Sequence, residues 1–167
     1  ESIMAGKTGE PEVVDLREAF VLPGLIDAHV HLTFEHDADA RMRRVSEDEA
    51  AAALRGSVYA RRTLEAGITT VRDLGGGAAV FALRDAIAQG RIPGPRMLVA
   101  GHAITPTGGH GDRTNGYRED LFDEPGAYLG VADGPYEARK AVRAQVKRGA
   151  DLIKLTATGG VLSNTSA

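Results

Sequence analysis

The chain reads as an α/β fold with parallel strands, and three observations lead there. Short strand-like runs at residues 22–32, 68–73, 96–100 and 152–156 alternate with three segments of helical period. Each helical segment closes on a glycine (Gly67, Gly90 or Gly149) directly before the next strand or the turn into it. The connections are long enough for right-handed helical crossovers, which parallel neighbours require. Both an open doubly wound sheet and half of a (β/α)8 barrel satisfy this order. Four βα units cannot close a barrel of roughly 200 residues or more, so on the second reading the chain is a part of one.

Taken in order, residues 1–12 are polar. Residues 13–16 and 19–22 read as two short strands around the charged turn Arg17-Glu18. Pro23-Gly24 launches the first strand of the alternation. Its odd positions Leu25, Asp27, His29 and His31 share one face, and Ile26, Ala28 and Val30 form an apolar face expected to lie under helices. Residues 33–44 form a polar loop with His36. Ser46 and Glu49 fit a capping box that opens a helix to about Ala66, with Ala50, Leu54, Val58 and Leu64 as its buried stripe.

Residues 68–73 are the second strand, and Gly75-Gly76-Gly77 turns the chain. A helix over 78–89 places Ala79, Leu83, Ala86 and Ile87 inward. Residues 96–100 are the third strand, followed by a long Gly/Pro/Asp/Asn loop over 102–133, a length that points to function or mobility. Pro135 opens the third helix, with Ala138, Val142 and Val146 inward. The fourth strand follows at 152–156.

Composition narrows the function classes. The 167 residues carry a net charge of −3 and no cysteine. A disulfide framework and a thiolate metal site are thereby excluded. Mild acidity without a basic patch argues against nucleic acid. No apolar run is long enough for a membrane span, and residues 1–7 lack a signal-peptide pattern. Cytoplasm is the expected compartment, with periplasm or secretion also compatible.

His29 and His31 stand two apart, so in a strand both imidazoles project together from its C-terminal end, and neutral imidazole is the commonest zinc ligand. On the pair alone, two incidental histidines remain an open reading. Lys154 is the lone charge in Leu152-Ile153-Lys154-Leu155-Thr156, near the end of a strand where parallel α/β folds place their sites. A solvated charge or an ion-pair partner is its plainer reading. His110 sits between glycines in Gly108-Gly109-His110-Gly111, where backbone can approach a ligand closely. His102, at the end of the third strand, is as suited to support as to contact. Asp27 and Asp73 could orient neighbouring ligands or serve as structural acceptors. Arg113, Tyr117, Arg118 and Tyr128 could each meet a substrate carboxylate, and spacing selects none of them.

Four motifs together resemble the amidohydrolase superfamily. They are Pro23-Gly24-Leu25-Ile26-Asp27-Ala28-His29-Val30-His31, the run 67–76 (Gly-Ile-Thr-Thr-Val-Arg-Asp-Leu-Gly-Gly), the run 105–111 (Thr-Pro-Thr-Gly-Gly-His-Gly), and the run 149–155 (Gly-Ala-Asp-Leu-Ile-Lys-Leu). The likeness is to the imidazolonepropionase-like and Xaa-Pro dipeptidase-like members, a group that includes dipeptidases, carboxypeptidases, N-acyl-amino-acid hydrolases and ochratoxin-type amidases. It implies an α/β chain that is the N-terminal half of a (β/α)8 TIM-barrel metallohydrolase. The barrel part would span residues 24–167, and residues 1–23 would be the remnant of a small β-sandwich domain.

The resemblance further implies two divalent metal ions, with zinc expected. His29 and His31 would bind one ion, and Lys154, as its CO2-derived carbamate, would bridge both. A hydroxide on this binuclear centre would hydrolyse an amide or peptide bond, with His110 touching substrate or its carbonyl. Two later histidines and an aspartate of the family pattern lie on strands five, six and eight, beyond the four strands read here. The remaining half of the barrel is therefore an expected partner, alongside a small amide or peptide substrate. Homo-oligomers are compatible with this reading, and the segment alone is expected to be inactive. A cyclic-amide hydrolase like imidazolonepropionase is the alternative activity. A non-catalytic α/β metal-binding module is the alternative of another class.

Overall fold

The computed structural model describes residues 16–160. Three parallel strands, β1 (Leu25–Val30), β2 (Ile68–Asp73) and β3 (Arg96–Val99), form one sheet in the order β1-β2-β3. Four helices intervene or follow: α1 (Ala40–Ser46), α2 (Glu49–Glu65), α3 (Ala79–Ala88) and α4 (Pro135–Lys147). Strand–helix alternation is therefore present, and α2 and α3 cross between parallel neighbours. Gly67, Gly90 and Gly149 all take positive φ, between 68° and 92°, as glycines that end helices do.

The core lies between the sheet and the helices α2 and α3. Leu32, Val71, Met97 and Val99 pack against Ala60, Val80, Phe81 and Leu83. A smaller cluster, Ile104, Ala132 and Ala141, anchors α4 beneath the end of β3.

Several expectations are corrected here. Residues 152–156 do not form a strand. They meet residue 104 in a single parallel bridge, in which the Ile104 N–H donates to Lys154 O at 2.8 Å and the Thr156 N–H to Ile104 O at 2.9 Å. The reason lies in the partner. Gly101, at φ +72°, turns the chain after β3, so no continuous edge faces residues 152–156. The Asp151 side chain accepts the Val99 N–H instead, at 2.9 Å.

Residues 19–22 are not a strand either. No neighbour pairs with them among the described residues, and Phe20 is almost fully exposed. Residues 13–15 of the other expected strand lie outside the described residues.

Ser46 is the last residue of α1, a helix within and just past the expected loop, and its hydroxyl donates to Met42 O. The cap of α2 is Asp48, whose Oδ1 accepts the Ala51 N–H at 2.8 Å. Glu49 reaches away from its own helix, and its Oε2 accepts the Ala79 N–H at the start of α3 at 2.7 Å. One glutamate thus joins two helix N-termini, where a carboxylate is favoured by the helix dipole.

The buried stripe of α2 is Gly56 and Ala60, while Leu54 (74 % exposed) and Val58 (48 %) face outward. A Cβ at Gly56 would stand 3.0 Å from Leu83 Cδ2 and 3.1 Å from Leu32 O. The helix lies so close that only small side chains fit. Likewise, α4 buries Ala141, Ala144 and Gln145, and Val146 is exposed. On β1 the apolar alternate face is uncovered at Ile26 (73 % exposed), and Val30 packs on the core.

Candidate functional site

The C-terminal ends of β1 and β2 are locked together by Asp73. It is fully buried, and its carboxylate accepts the Leu32 N–H at 2.8 Å and the Gly75 N–H at 3.1 Å. Burial pushes its carboxyl above the usual carboxylate range, against the two N–H donors that pull it down. The bond to Leu32 N holds the chain just past His31, and the bond to Gly75 N orders the first glycine of the turn. That turn presents Gly75 O to the His31 ring.

His31 Nδ1 lies 2.9 Å from Gly75 O. A carbonyl only accepts, so Nδ1 carries the proton and Nε2 keeps its lone pair for a ligand. His29 stands beside it, with the two rings edge to face and 5.4 Å between centroids. The register slips here, since Asp27 pairs with Val71 but Val30 with Asp73. Three steps along β1 therefore match two along β2. Strict alternation fails at this point, yet the imidazoles still meet. Desolvation in the cleft, then the charges of Lys154 and His31, lower the His29 pKa and favour its neutral, metal-binding form. Asp27 accepts the His29 backbone N–H at 3.0 Å, and so shapes the strand end rather than the ring.

Across the cleft, His102 follows β3 and is buried. Burial, reinforced by the charges of Arg113 and Arg148, lowers its pKa to about 4, so it is neutral at physiological pH. Its backbone N–H donates to the fully buried Gln145 Oε1 at 3.1 Å. The loop beyond it is held by its own side chains. Asp112 accepts from Gly108 N and from the Thr114 backbone and hydroxyl, while Asn115 Nδ2 donates to the Gly108 and Gly109 carbonyls. His110 is exposed at the rim, and its ring is packed so closely on Gly160 that a Cβ there would fall 2.5 Å from His110 Cε1. Lys154 is half-buried, fixed through its backbone to Ile104.

All four sequence-selected residues, His29, His31, His110 and Lys154, line one cleft of about 1000 Å³. Its wall also includes His36, His102, Arg113 and Tyr117. Two other loop candidates lie elsewhere. Arg118 pairs with Asp120, and Tyr128 carries the Arg148 guanidinium 3.6 Å from its ring centroid. Sequence reasoning passed over Asp112, Asn115 and Gln145. Of these, Asp112 had a usable signal, a threonine two residues on, the pattern of an Asx turn.

Among the described residues, no group of three or more His, Cys, Asp and Glu is gathered. His29 and His31 meet at one strand end, and Lys154 lines the same cleft. The fixed His31 tautomer and the lowered His29 pKa are the features of this pair that fit a divalent metal.

The chain belongs to the amidohydrolase family, whose model matches residues 20–167. Among relatives, ochratoxinase from Aspergillus niger is 37 % identical over 161 residues, covering 88 % of this chain and 33 % of that enzyme. A crystal structure of a Xaa-Pro dipeptidase with methionine bound in its active site superposes with a TM-score of 0.78 at 42 % identity, covering 87 % of this chain and 36 % of the other. A prolidase complexed with N-methylphosphonate-L-proline gives 0.72 at 33 % identity, covering 93 % and 40 %. The chain thus spans about a third of the curated relative it matches. Among the described residues no helix is long and apolar enough to cross a membrane.

Proposed function

We propose that this chain is the N-terminal part of a metal-dependent hydrolase of amide or peptide bonds, acting on a dipeptide, a C-terminal amino acid or an N-acyl amino acid, ochratoxin-type amides included. The observation that carries the reading is the pairing of His29 with His31 in a cleft that Lys154 also lines, with the His31 Nε2 left free by the bond from Nδ1 to Gly75 O. Family membership and the identities of the dipeptidase and ochratoxinase relatives support it. In this reading residues 24–167 are the first four βα units of a (β/α)8 barrel, and residues 1–23 end a small β domain. The barrel is completed by sequence outside this chain, which also supplies the remaining ligands.

His29 and His31 would hold one ion. Lys154 would join them as the carbamate formed when its amine reacts with CO2 and a proton is released, so that it would serve as an anionic ligand. A divalent pair, expected to be zinc, supplies a water of lowered pKa and an electrophile for the scissile carbonyl. Asp73 ties the β1 and β2 ends together, so the histidines are positioned before any ligand arrives. The neutral His102 adds no charge to the wall. His110, at the rim, would contact bound substrate or help polarise its scissile carbonyl.

The test is a library of dipeptides, N-acyl amino acids and imidazolone-type rings assayed on the full-length, zinc-loaded protein. Turnover of linear amides is expected. Turnover of cyclic amides alone would replace the reading with the imidazolonepropionase-like one, and no turnover with a single bound ion would favour a binding module.

A further inference from the structure

The slip between β1 and β2 leaves Ala28 and His29 together opposite Arg72, because Asp27 pairs with Val71 and Val30 with Asp73. A bulge of this kind breaks the ladder locally and re-aims a side chain. Two side chains hold the backbone inside it. Arg72 Nε donates to Ala28 O at 2.8 Å, and Asp27 Oδ1 accepts the His29 N–H at 3.0 Å. That carbonyl and that N–H are the two ends of one peptide bond, the bond that leads into His29. A peptide unit is planar, so holding it at both ends fixes the plane from which the His29 side chain departs.

The two histidines are therefore aimed by different means. His31 is held at its ring by Gly75 O. Among the described residues no hydrogen bond reaches the His29 ring, which meets the His31 ring edge to face. Its direction is left to the backbone. Among the described residues Arg72 makes no ion pair, so its bond to Ala28 O is not the by-product of a charge pair. A hydrogen bond from a guanidinium to a carbonyl is charge-assisted and stronger than a neutral one.

We propose that Arg72 is a positioning residue for His29: together with Asp27 it clamps the peptide unit between Ala28 and His29, and so aims the imidazole at the ion held with His31. This rests on the metal-centre reading above.

The experiment titrates the metal-free, full-length protein with zinc and with cobalt(II), whose visible bands report the geometry of its ligands. Arg72→Leu is expected to lower zinc affinity by about tenfold or more and to change the cobalt bands. Asp27→Ala should act in the same direction. The double variant should be little worse than the poorer single one, because both side chains act on one peptide unit. Arg72→Lys keeps a cationic donor and Asp27→Asn keeps an acceptor oxygen, so each should recover part of the affinity. Denaturant unfolding of the metal-free proteins is followed alongside, and the lost affinity should persist where the unfolding midpoint matches the wild type. Arg62→Gln, on α2 outside the cleft, is the control and should bind as the wild type does. A folded Arg72→Leu that binds zinc as the wild type does, with unchanged cobalt bands, overturns the clamp and leaves the metal-centre reading intact. Effects that add in full in the double variant overturn it as well. Should Arg72→Leu not fold, Asp27→Ala decides, and wild-type affinity there overturns the clamp. A wild type that binds neither ion overturns the metal-centre reading and the clamp together.

Discussion

At the β1–β2 side of the cleft, His31 is fixed at its ring by Gly75 O, and the backbone around it by the two N–H bonds of the buried Asp73. At the β3 side, Lys154 is held through its backbone, by bonds on either side of one bridge, and His110 sits on an exposed, glycine-rich rim. The first side is a histidine pair preset by the protein. On the function proposed above, the second side would gain its chemistry from a modification and a bound ion. Sheet hydrogen bonding costs nothing extra at the moment of ligand binding, whereas a half-buried amine awaits a partner.

The comparison breaks most visibly at Lys154. In the full-length enzyme Lys154→Ala is expected to lose metal and to lower kcat/KM by orders of magnitude, with partial rescue by short carboxylic acids; metal analysis and kinetics with added acetate check this. Asp73→Ala tests the preset side. It leaves two N–H groups unmet near the core, which costs about 2–6 kcal/mol at roughly 1–3 per group. Metal affinity should fall about 10–100-fold, as for other groups that orient ligands. Denaturant unfolding and zinc titration read the two effects separately.

His102 gives a pH signature. Its folded pKa of about 4 lies below the 6.5 of free imidazole. Between those values the unfolded chain binds a proton that the folded chain refuses. The contribution to stability is therefore complete above pH 6.5 and is lost as pH falls toward 4. At about 1.4 kcal/mol per pH unit the loss is about 3 kcal/mol. His102→Gln should flatten that part of the stability-against-pH curve. A slope unchanged in the variant would assign it to other groups. The smallest effect belongs to Leu54→Ala, on the outward face of α2, which is expected to change stability by less than about 0.5 kcal/mol.

Leu54 also marks where the sequence stops being legible. A helical period shows that one face is buried, but not which of two apolar faces. On α2 the choice was made by Gly56, because contact with Leu83 and Leu32 leaves room for little side chain there. The order of strands and helices could be read because each helix closes on a glycine that takes positive φ. The capping box at Ser46 misled because Asp48 competes for the same helix start and Glu49 serves α3 instead. The histidine pair could be picked out from its spacing. Its tautomer could not, since Gly75 lies 44 residues further along the chain. The Asp112 and Gln145 networks likewise depend on loop closure and on α4 docking, neither of which leaves a periodic trace. The fourth strand was overread: five β-favouring residues make a strand only beside a continuous edge, and Gly101 interrupts it.

The central claim is that His29, His31 and Lys154 contribute to one two-metal centre. The most direct measurement is a crystal structure of the full-length, metal-loaded protein, with metal content determined on the same sample. The account predicts two divalent ions per chain, one on His29 and His31, and carboxylate density on Lys154 Nζ shared between them. One ion per chain with an unmodified Lys154 would contradict it.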